Sequence, residues 1–483
     1  MARMLSLFVG GLLSLGIVSV STPCAIAQND AYDIPAESLA TAQGLIERGL
    51  RSELAWNIVS SLTTNIGPRL AGSEAEARAR GWGARLGEEL GFDRVAVETF
   101  ALPFWERGQS RLILRSPYLL ELRATALGGS GGSRGSVDAE VVYFRSVYEL
   151  SKALDESLAG KIAFVDGEPM VKSQTGAGYG PANQRRRVGW QHAQRAGARA
   201  LVVRSVGSSS RRFAHTGMMS ARAGDAEGDE TWAQIPVMAI SNPDADQLRR
   251  LHQQGERLSL TLQSEAGFRG EATSGNVILD LVGREQPEEI VLIGAHLDSW
   301  DLGTGAIDDG AGVAITTAAA ALIAQLPQRP RRTIRVVMFG AEEVGLLGAR
   351  AYAKRHADQA SNHVLATESD FGADRIWQLV SNVNPQANAA VDAIGRLLAQ
   401  LNIVRGGSAV AGGGPDIIPL ALLGIPTVRL NQNGRDYFDL HHTADDTLDK
   451  IDPQKLAQNV AAYAALAWLA AELDVEFRKP AGA

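Results

Sequence analysis

From Asn276 onwards the sequence alternates short apolar runs with longer stretches at helical spacing, and this alternation confines the chain to a layered α/β fold. The runs 289–295, 333–339, 364–367 and 426–430 are apolar at consecutive positions, as expected of short strands covered on both faces of a mostly parallel sheet. Helices are expected over 310–325, 346–356, 387–401 and 453–473. The last has Pro453 at its first position behind Asp452 as N-cap. Upstream, Leu50, Leu54, Ile58 and Leu62 predict a helix over 36–64, stopped by Gly67-Pro68. A second helix is expected over 79–91, then strand-like runs at 95–100 and 112–114.

A Gly/Ser cluster at 128–135 marks an expected boundary, and the texture changes from there to about Gly270. Strands are expected in this segment at 139–144, 161–165, 200–203 and 237–240, with a helix near 189–195, which suits a small α/β insert. The expected fold class is therefore α/β, a mostly parallel mixed sheet flanked by helices. Residues 28–127 and 273–483 would make the main domain, and 128–272 a smaller inserted one.

The chain has 483 residues, with 47 Lys+Arg against 54 Asp+Glu, a formal charge of −7. Without a long basic stripe, this composition argues against binding nucleic acid through its phosphates. Arg3, the uncharged stretch from Leu5 to Val20 and the small residues around Ala25-Ile26-Ala27 predict a secretory signal over residues 1–27. The mature protein would be exported, periplasmic or extracellular, with no stable membrane span. Cys24, the single cysteine, lies inside that signal. The remainder would have no thiol, which rules out a cysteine nucleophile, disulfides and thiolate metal sites together.

Ligands of open α/β sheets gather outside the carboxyl ends of the strands. Here the first expected strand runs into His296-Leu297-Asp298, and a Gly-rich loop leads on to Asp308-Asp309-Gly310 at the next helix start. The strand 333–339 ends in Glu342-Glu343, the strand 364–367 in Glu368-Ser369-Asp370, and the strand 426–430 leads to His441-His442-Thr443. Singly, such residues are more often caps or solvated groups. Five segments delivering imidazole or carboxylate to one sheet edge predict a metal site. Two imidazoles and several carboxylates without sulfur suit Zn²⁺, with Co²⁺ or Mn²⁺ as substitutes. The number of donors favours two ions sharing a carboxylate.

The motifs G-A-H-L-D-S-W-D (294–301), G-A-I-D-D-G (305–310), A-E-E (341–343), E-S-D (368–370) and H-T-A-D-D-T (442–447) together resemble the M28 family of co-catalytic zinc exopeptidases. With I-G-P-R-L-A-G-S (66–73), they are most similar to its plasma glutamate carboxypeptidase branch, and 128–272 resembles a protease-associated (PA) domain. The resemblance implies two Zn²⁺ per subunit. His296 and Asp370 would bind one, Glu343 and His442 the other, and Asp308 would bridge. It implies Glu342 as general base, Asp298 as the group orienting His296, Asp446 as support for His442, and Tyr437 as a phenol stabilising a developing oxyanion. His441 is expected to be structural. Family members commonly carry S-D-H where this chain reads Gly414-Pro415-Asp416-Ile417, which puts a substrate-gripping role for Asp416 in doubt.

The expected activity is hydrolysis of dipeptides or short peptides with a free N-terminus, by an aminopeptidase or dipeptidase, because an acidic pocket favours a free α-amino group. Carboxypeptidase polarity, hydrolysis of acylated amino acids, and a non-catalytic binding protein are the alternatives. A homodimer is expected by the same resemblance. The basic clusters 185–187 and 329–332 read as solvated surface, His356 as structural, and Trp56, Trp82 and Trp105 as packing.

Overall fold

The computed structural model describes residues 32–223, 230–408 and 412–480. The expected signal over 1–27 and Cys24 lie outside the described residues.

One eight-stranded sheet organises the main part of the chain. Its order is Arg94–Glu106, Gly267–Leu281, Arg332–Phe339, Gln286–His296, His363–Glu368, Thr427–Gln432, Ile376–Asn382 and Val404–Ser408. Gln286–His296 runs parallel to both its neighbours, and His363–Glu368 parallel to Thr427–Gln432. Antiparallel pairs flank this centre, so the sheet is mixed with a parallel heart. Three strands have weak signals in the sequence: Gly267–Leu281, whose first half is polar, Ile376–Asn382, and the glycine-bearing Val404–Ser408.

Strand alternation splits the apolar side chains between two layers. Val291, Ile293, Val336 and Met338 join one core with the helices Ala36–Arg51, Ala311–Ala324 and Pro453–Glu472. Leu292, Val337, Phe339 and Ala366 face the other way, against Leu347–Arg355. The apolar stretch Ala306–Ala324 is long enough to cross a bilayer, yet it is wholly buried here as a core helix. Asp452 does cap Pro453–Glu472, accepting from the amides of Gln454 and Lys455. The helix expected over 36–64 is broken: Ala36–Arg51 stops at Ser52, which is extended, and Leu54–Ser61 starts anew.

A second eight-stranded sheet forms the insert. Its parallel centre is Val137–Phe144, Ile162–Val165, Ala200–Arg204 and Val237–Ile240. Ser110–Ser116, Leu120–Leu122 and Ala124–Ala126 also belong to this sheet, so it begins before the expected boundary at 128. The 128–135 cluster is an internal turn. Gly128 and Gly131 bridge to Met218 and Pro236, and a Cβ on Gly128 would strike the Trp300 ring.

The two basic clusters are solvated only in part: Arg187 is exposed, and Arg329 and Arg331 are half-buried. Arg185 and Arg186 are buried, and Arg185 gives its donors to the carbonyls of Arg204, Glu168 and Ser205. Arg332 is buried too, pairing Glu289 and bonding the carbonyls of Ala470, Leu473 and Val475. Each spends its fork on chain ends that no short-range pattern announces.

His363 is buried and locked as a neutral ring. One nitrogen lies 3.1 Å from the Gln359 carbonyl and the other 2.9 Å from the Tyr352 hydroxyl, which takes a hydrogen bond from Arg335. Burial lowers its pKa from 6.5 to about 4. The unfolded chain therefore binds the extra proton first. Stability is complete above pH 6.5 and falls by up to roughly 3 kcal/mol as pH drops through 4. Melting temperatures between pH 7 and 4.5 are expected to fall less steeply in His363→Gln than in the parent.

Candidate active site

Every sequence-expected ligand reaches one edge of the main sheet. His296 ends its strand, Asp370 follows His363–Glu368 by two residues, and Glu343 lies in the turn after Arg332–Phe339. Asp308 sits in the loop before Ala311–Ala324, and His442 after the short helix Tyr437–Leu440. Asp308 is the centre. One carboxylate oxygen lies 3.2 Å from His296 Nε2 and the other 3.2 Å from His442 Nε2. Asp370 Oδ1 stands 3.8 Å from His296 Nε2, and Glu343 Oε2 stands 2.9 Å from His442 Nε2. His296, Asp308 and Glu343 present donor atoms within 4.8 Å of one another, and so do His296, Asp309 and Asp370.

These residues fit a divalent metal. Asp308 Oδ2 and Glu343 Oε1 are buried with no hydrogen-bond partner among the described residues. The electrostatics agree. Burial, with the charges of Asp308 and other acids, pushes Glu343 up to about 7 and Asp370 up to about 6. His442 is raised to about 9, the acids Glu343 and Asp308 outweighing burial. Glu342 is pushed well above the carboxylate range by burial and then by Asp370 and Glu343. The cage holds more acid than its imidazoles neutralise, a surplus that cations relieve.

The residues behind the cage act differently from expectation. The acceptor nearest the His296 ring is the main-chain carbonyl of Asp298, 3.0 Å from Nδ1, whereas its carboxylate is 3.7 Å away. That carboxylate instead accepts from the amides of Glu342 and Glu343, 3.0 and 3.3 Å away, and so fixes the turn carrying both. Asp446 does not support His442. Its Oδ1 accepts from the Ile307 amide at 2.6 Å and holds the loop carrying Asp308. Asp309, to which the family resemblance gives no role, accepts from the amides of His296 and Gly312 and ties strand end to helix start. Gly312 has no room for a side chain, because a Cβ would meet the Ser369 carbonyl and the Asp309 carboxylate.

Arg69, from the 66–73 motif, is fully buried. It donates to the carbonyls of Leu297, Gly67, Thr304 and Gly305, clamping the segments that carry His296 and Asp308. Burial lowers its pKa to about 10. Asp416 is wholly buried and its amide bonds Glu368 Oε2; its neighbour Pro415 lines the cleft, and Asp416 does not. Tyr437 is buried at the cleft against Phe371, ring centres 4.8 Å apart.

The insert supplies one wall of the cleft, a cavity of about 670 Å³ bounded by Tyr179, Arg186 and Trp232 on one side and the acids on the other. It also grips the histidine loop. Lys172 pairs with Asp436 and Asp439, and the Thr216 amide bonds the His442 carbonyl at 2.9 Å. His442 has φ +61°, in the left-handed region that residues other than glycine seldom adopt, and this insert contact helps hold it there. His441 stacks on His442 with ring centres 3.5 Å apart, puts Nδ1 3.0 Å from His215 Nε2 of the insert, and turns Nε2 to within 3.5 Å of Asp308. His215 is isolated in the sequence, with no motif around it to signal this contact.

Comparison with known proteins finds relatives along most of the chain. The profile of Peptidase family M28 matches residues 276–467. Carboxypeptidase Q of Bos taurus is 31% identical over 427 residues, 88% of this chain and 87% of that protein. The crystal structure of a Peptidase M28 precursor from Shewanella amazonensis SB2B superposes with a TM-score of 0.87 at 45% identity, covering 92% of this chain and 98% of that one. The zinc aminopeptidase BSAP of Bacillus subtilis shares the fold, with a TM-score of 0.63 at 22% identity over 87% of this chain and 95% of its own.

Proposed function

The chain belongs to peptidase family M28, and from that premise we propose that it is a two-zinc exopeptidase acting on dipeptides and short peptides with a free N-terminus. The observation that carries this reading is the convergence of His296, Asp308, Glu343, Asp370 and His442 on one buried point, with Glu342 beside it. His296 and Asp370 would hold one ion, Glu343 and His442 the other, and Asp308 both. The bound ions would supply a nucleophile from water at neutral pH and polarise the scissile carbonyl.

The chain's own residues do the rest. Glu342, held by its amide on Asp298, takes the proton of the attacking water on a carboxylate oxygen and returns it to the departing amine. Asp298 and Asp309 keep the strand end, the turn and the helix start in register. The insert wall limits the cleft to short substrates and reduces access of bulk water. Tyr437 lines this cleft, where its hydroxyl can donate to charge developing on the carbonyl oxygen. A secretory signal over 1–27, a PA-type insert and a homodimer belong to the same reading.

Elemental analysis of the purified protein beside a dipeptide-cleavage panel tests it. About two zinc ions per chain are expected. Chelation should abolish cleavage, and zinc, Co²⁺ or Mn²⁺ should restore it. At a zinc concentration about 100-fold over Kd, the melting point should rise in keeping with roughly 2.7 kcal/mol of linkage stabilisation. A free dipeptide should be cleaved in preference to its N-acetylated form. Preference for the blocked form would favour the acyl-amino-acid reading, and metal binding without any cleavage would favour the binding protein.

A further inference from the structure

His441, expected to be structural, points at the metal cage. It is buried beside His442, and its Nε2 lies 3.5 Å from Asp308 Oδ2. That oxygen has no hydrogen-bond partner among the described residues. The far side of the ring shows where the proton sits. His215 Nδ1 lies 2.9 Å from the Thr216 carbonyl, which can only accept, so His215 carries its proton there and offers a lone pair at Nε2. His441 Nδ1, 3.0 Å from that lone pair, donates to it. The His215 ring is packed in place, since a Cβ on Gly207 would strike it. Neither ring carries a second proton: burial opposes it, and so do the neighbouring imidazoles and Arg186. His441 Nε2 is therefore a lone pair facing another on Asp308, a pairing that only a shared cation or donor relieves.

The spacing of the donors suits a metal ion. Asp308 Oδ2 is 3.2 Å from His442 Nε2 and 3.5 Å from His441 Nε2, and Glu343 Oε2 is 2.9 Å from His442 Nε2. Donors around a tetrahedral zinc, with arms of about 2.0–2.1 Å, stand about 3.3–3.4 Å apart. The outer partners point the same way. Metal-bound histidines give their other N–H to a fixed acceptor. His296 has the Asp298 carbonyl at 3.0 Å, His442 the Thr216 carbonyl at 3.3 Å, and His441 has His215. We infer that His441 is a further metal ligand, binding the ion held by Glu343 and His442, and that His215 of the insert positions it. This rests on the two-zinc reading above and adds a donor to it. The family resemblance supplies two imidazoles; the structure supplies three. One ion would then have four protein donors, Asp308, Glu343, His441 and His442, and the other three, so the first should fill first.

The test uses the full chain labelled with ¹⁵N-histidine, loaded with Co²⁺ and read by paramagnetic proton NMR. An imidazole bound through Nε2 shows its Nδ1 proton far outside the ordinary range, split by the labelled nitrogen. Three such protons are expected in the parent and two in His441→Phe, which keeps the ring stack. In chelator competition, His441→Phe should weaken one of the two zinc ions by about 100-fold or more, beyond the effect of an outer partner. His215→Phe should weaken the same ion by about 10- to 100-fold. His215→Gln, whose carboxamide can accept from His441 and donate to Thr216, should recover most of that loss, a rescue that packing alone would not give. Two shifted protons in a parent that holds two ions overturn the inference and leave the two-zinc reading standing. Unchanged zinc affinity in His441→Phe overturns it as well, and a parent that binds no ion overturns both. The count in the parent decides between these results even if a variant fails to fold.

Discussion

Replacing Glu342 by Gln is expected to leave metal content at the parental level while lowering kcat by about 10²- to 10⁴-fold, the usual contribution of a positioned general base. The two halves of this result come from different atoms. The main-chain amide of Glu342 bonds Asp298, and the adjacent Glu343 faces His442 at 2.9 Å, so the turn and its donors stay in place when one carboxylate becomes a carboxamide. What disappears is the acceptor for the proton of the attacking water. The contrasting variant is Glu343→Gln, which removes a charge from the cage itself and should lower metal content. Elemental analysis and initial rates on the same preparations separate the two effects. Substantial turnover in metal-replete Glu342→Gln would move the base to another residue.

Replacing Arg69 by Met is expected to destabilise the protein by about 3–5 kcal/mol and to lower metal affinity, although Arg69 touches no proposed ligand side chain. Its side chain is fully buried and serves four carbonyls, those of Gly67, Leu297, Thr304 and Gly305. Methionine fills a similar volume and provides no donor, so four acceptors would be left short of partners where water does not reach. Leu297 adjoins His296, and Gly305, at φ +60°, opens the loop to Asp308. Disorder there should loosen both donors. Denaturant melts with and without zinc read the effect. A mutant as stable as the parent, with unchanged zinc affinity, would show that the clamp is dispensable.

Much of this was legible in the residues because strand and helix periods act locally. The parallel heart of the sheet, the capped helix Pro453–Glu472 and the arrival of His296, Asp308, Glu342, Glu343, Asp370 and His442 at one edge all follow from short-range patterning and from the rule that strand ends carry ligands. The strand Gly267–Leu281 escaped because its first half is exposed and pairs only with Arg94–Glu106, while its second half also pairs with Arg332–Phe339. The burial of Arg185, Arg186 and Arg332 escaped because their partners are carbonyls far along the chain, which carry no sequence signature.

The sequence by itself determined which residue types would meet and at which edge, since that depends on strand order and on where each apolar run ends. Only the tertiary structure decided how they are held. Asp298 serves the Glu342-Glu343 turn in preference to the His296 ring, Asp446 serves the Asp308 loop, and His215 of the insert reaches His441. The physical reason is that a carboxylate, an imidazole or a guanidinium bonds whichever donor or acceptor the fold brings within about 3 Å, and that choice is made in space between segments that lie far apart along the chain.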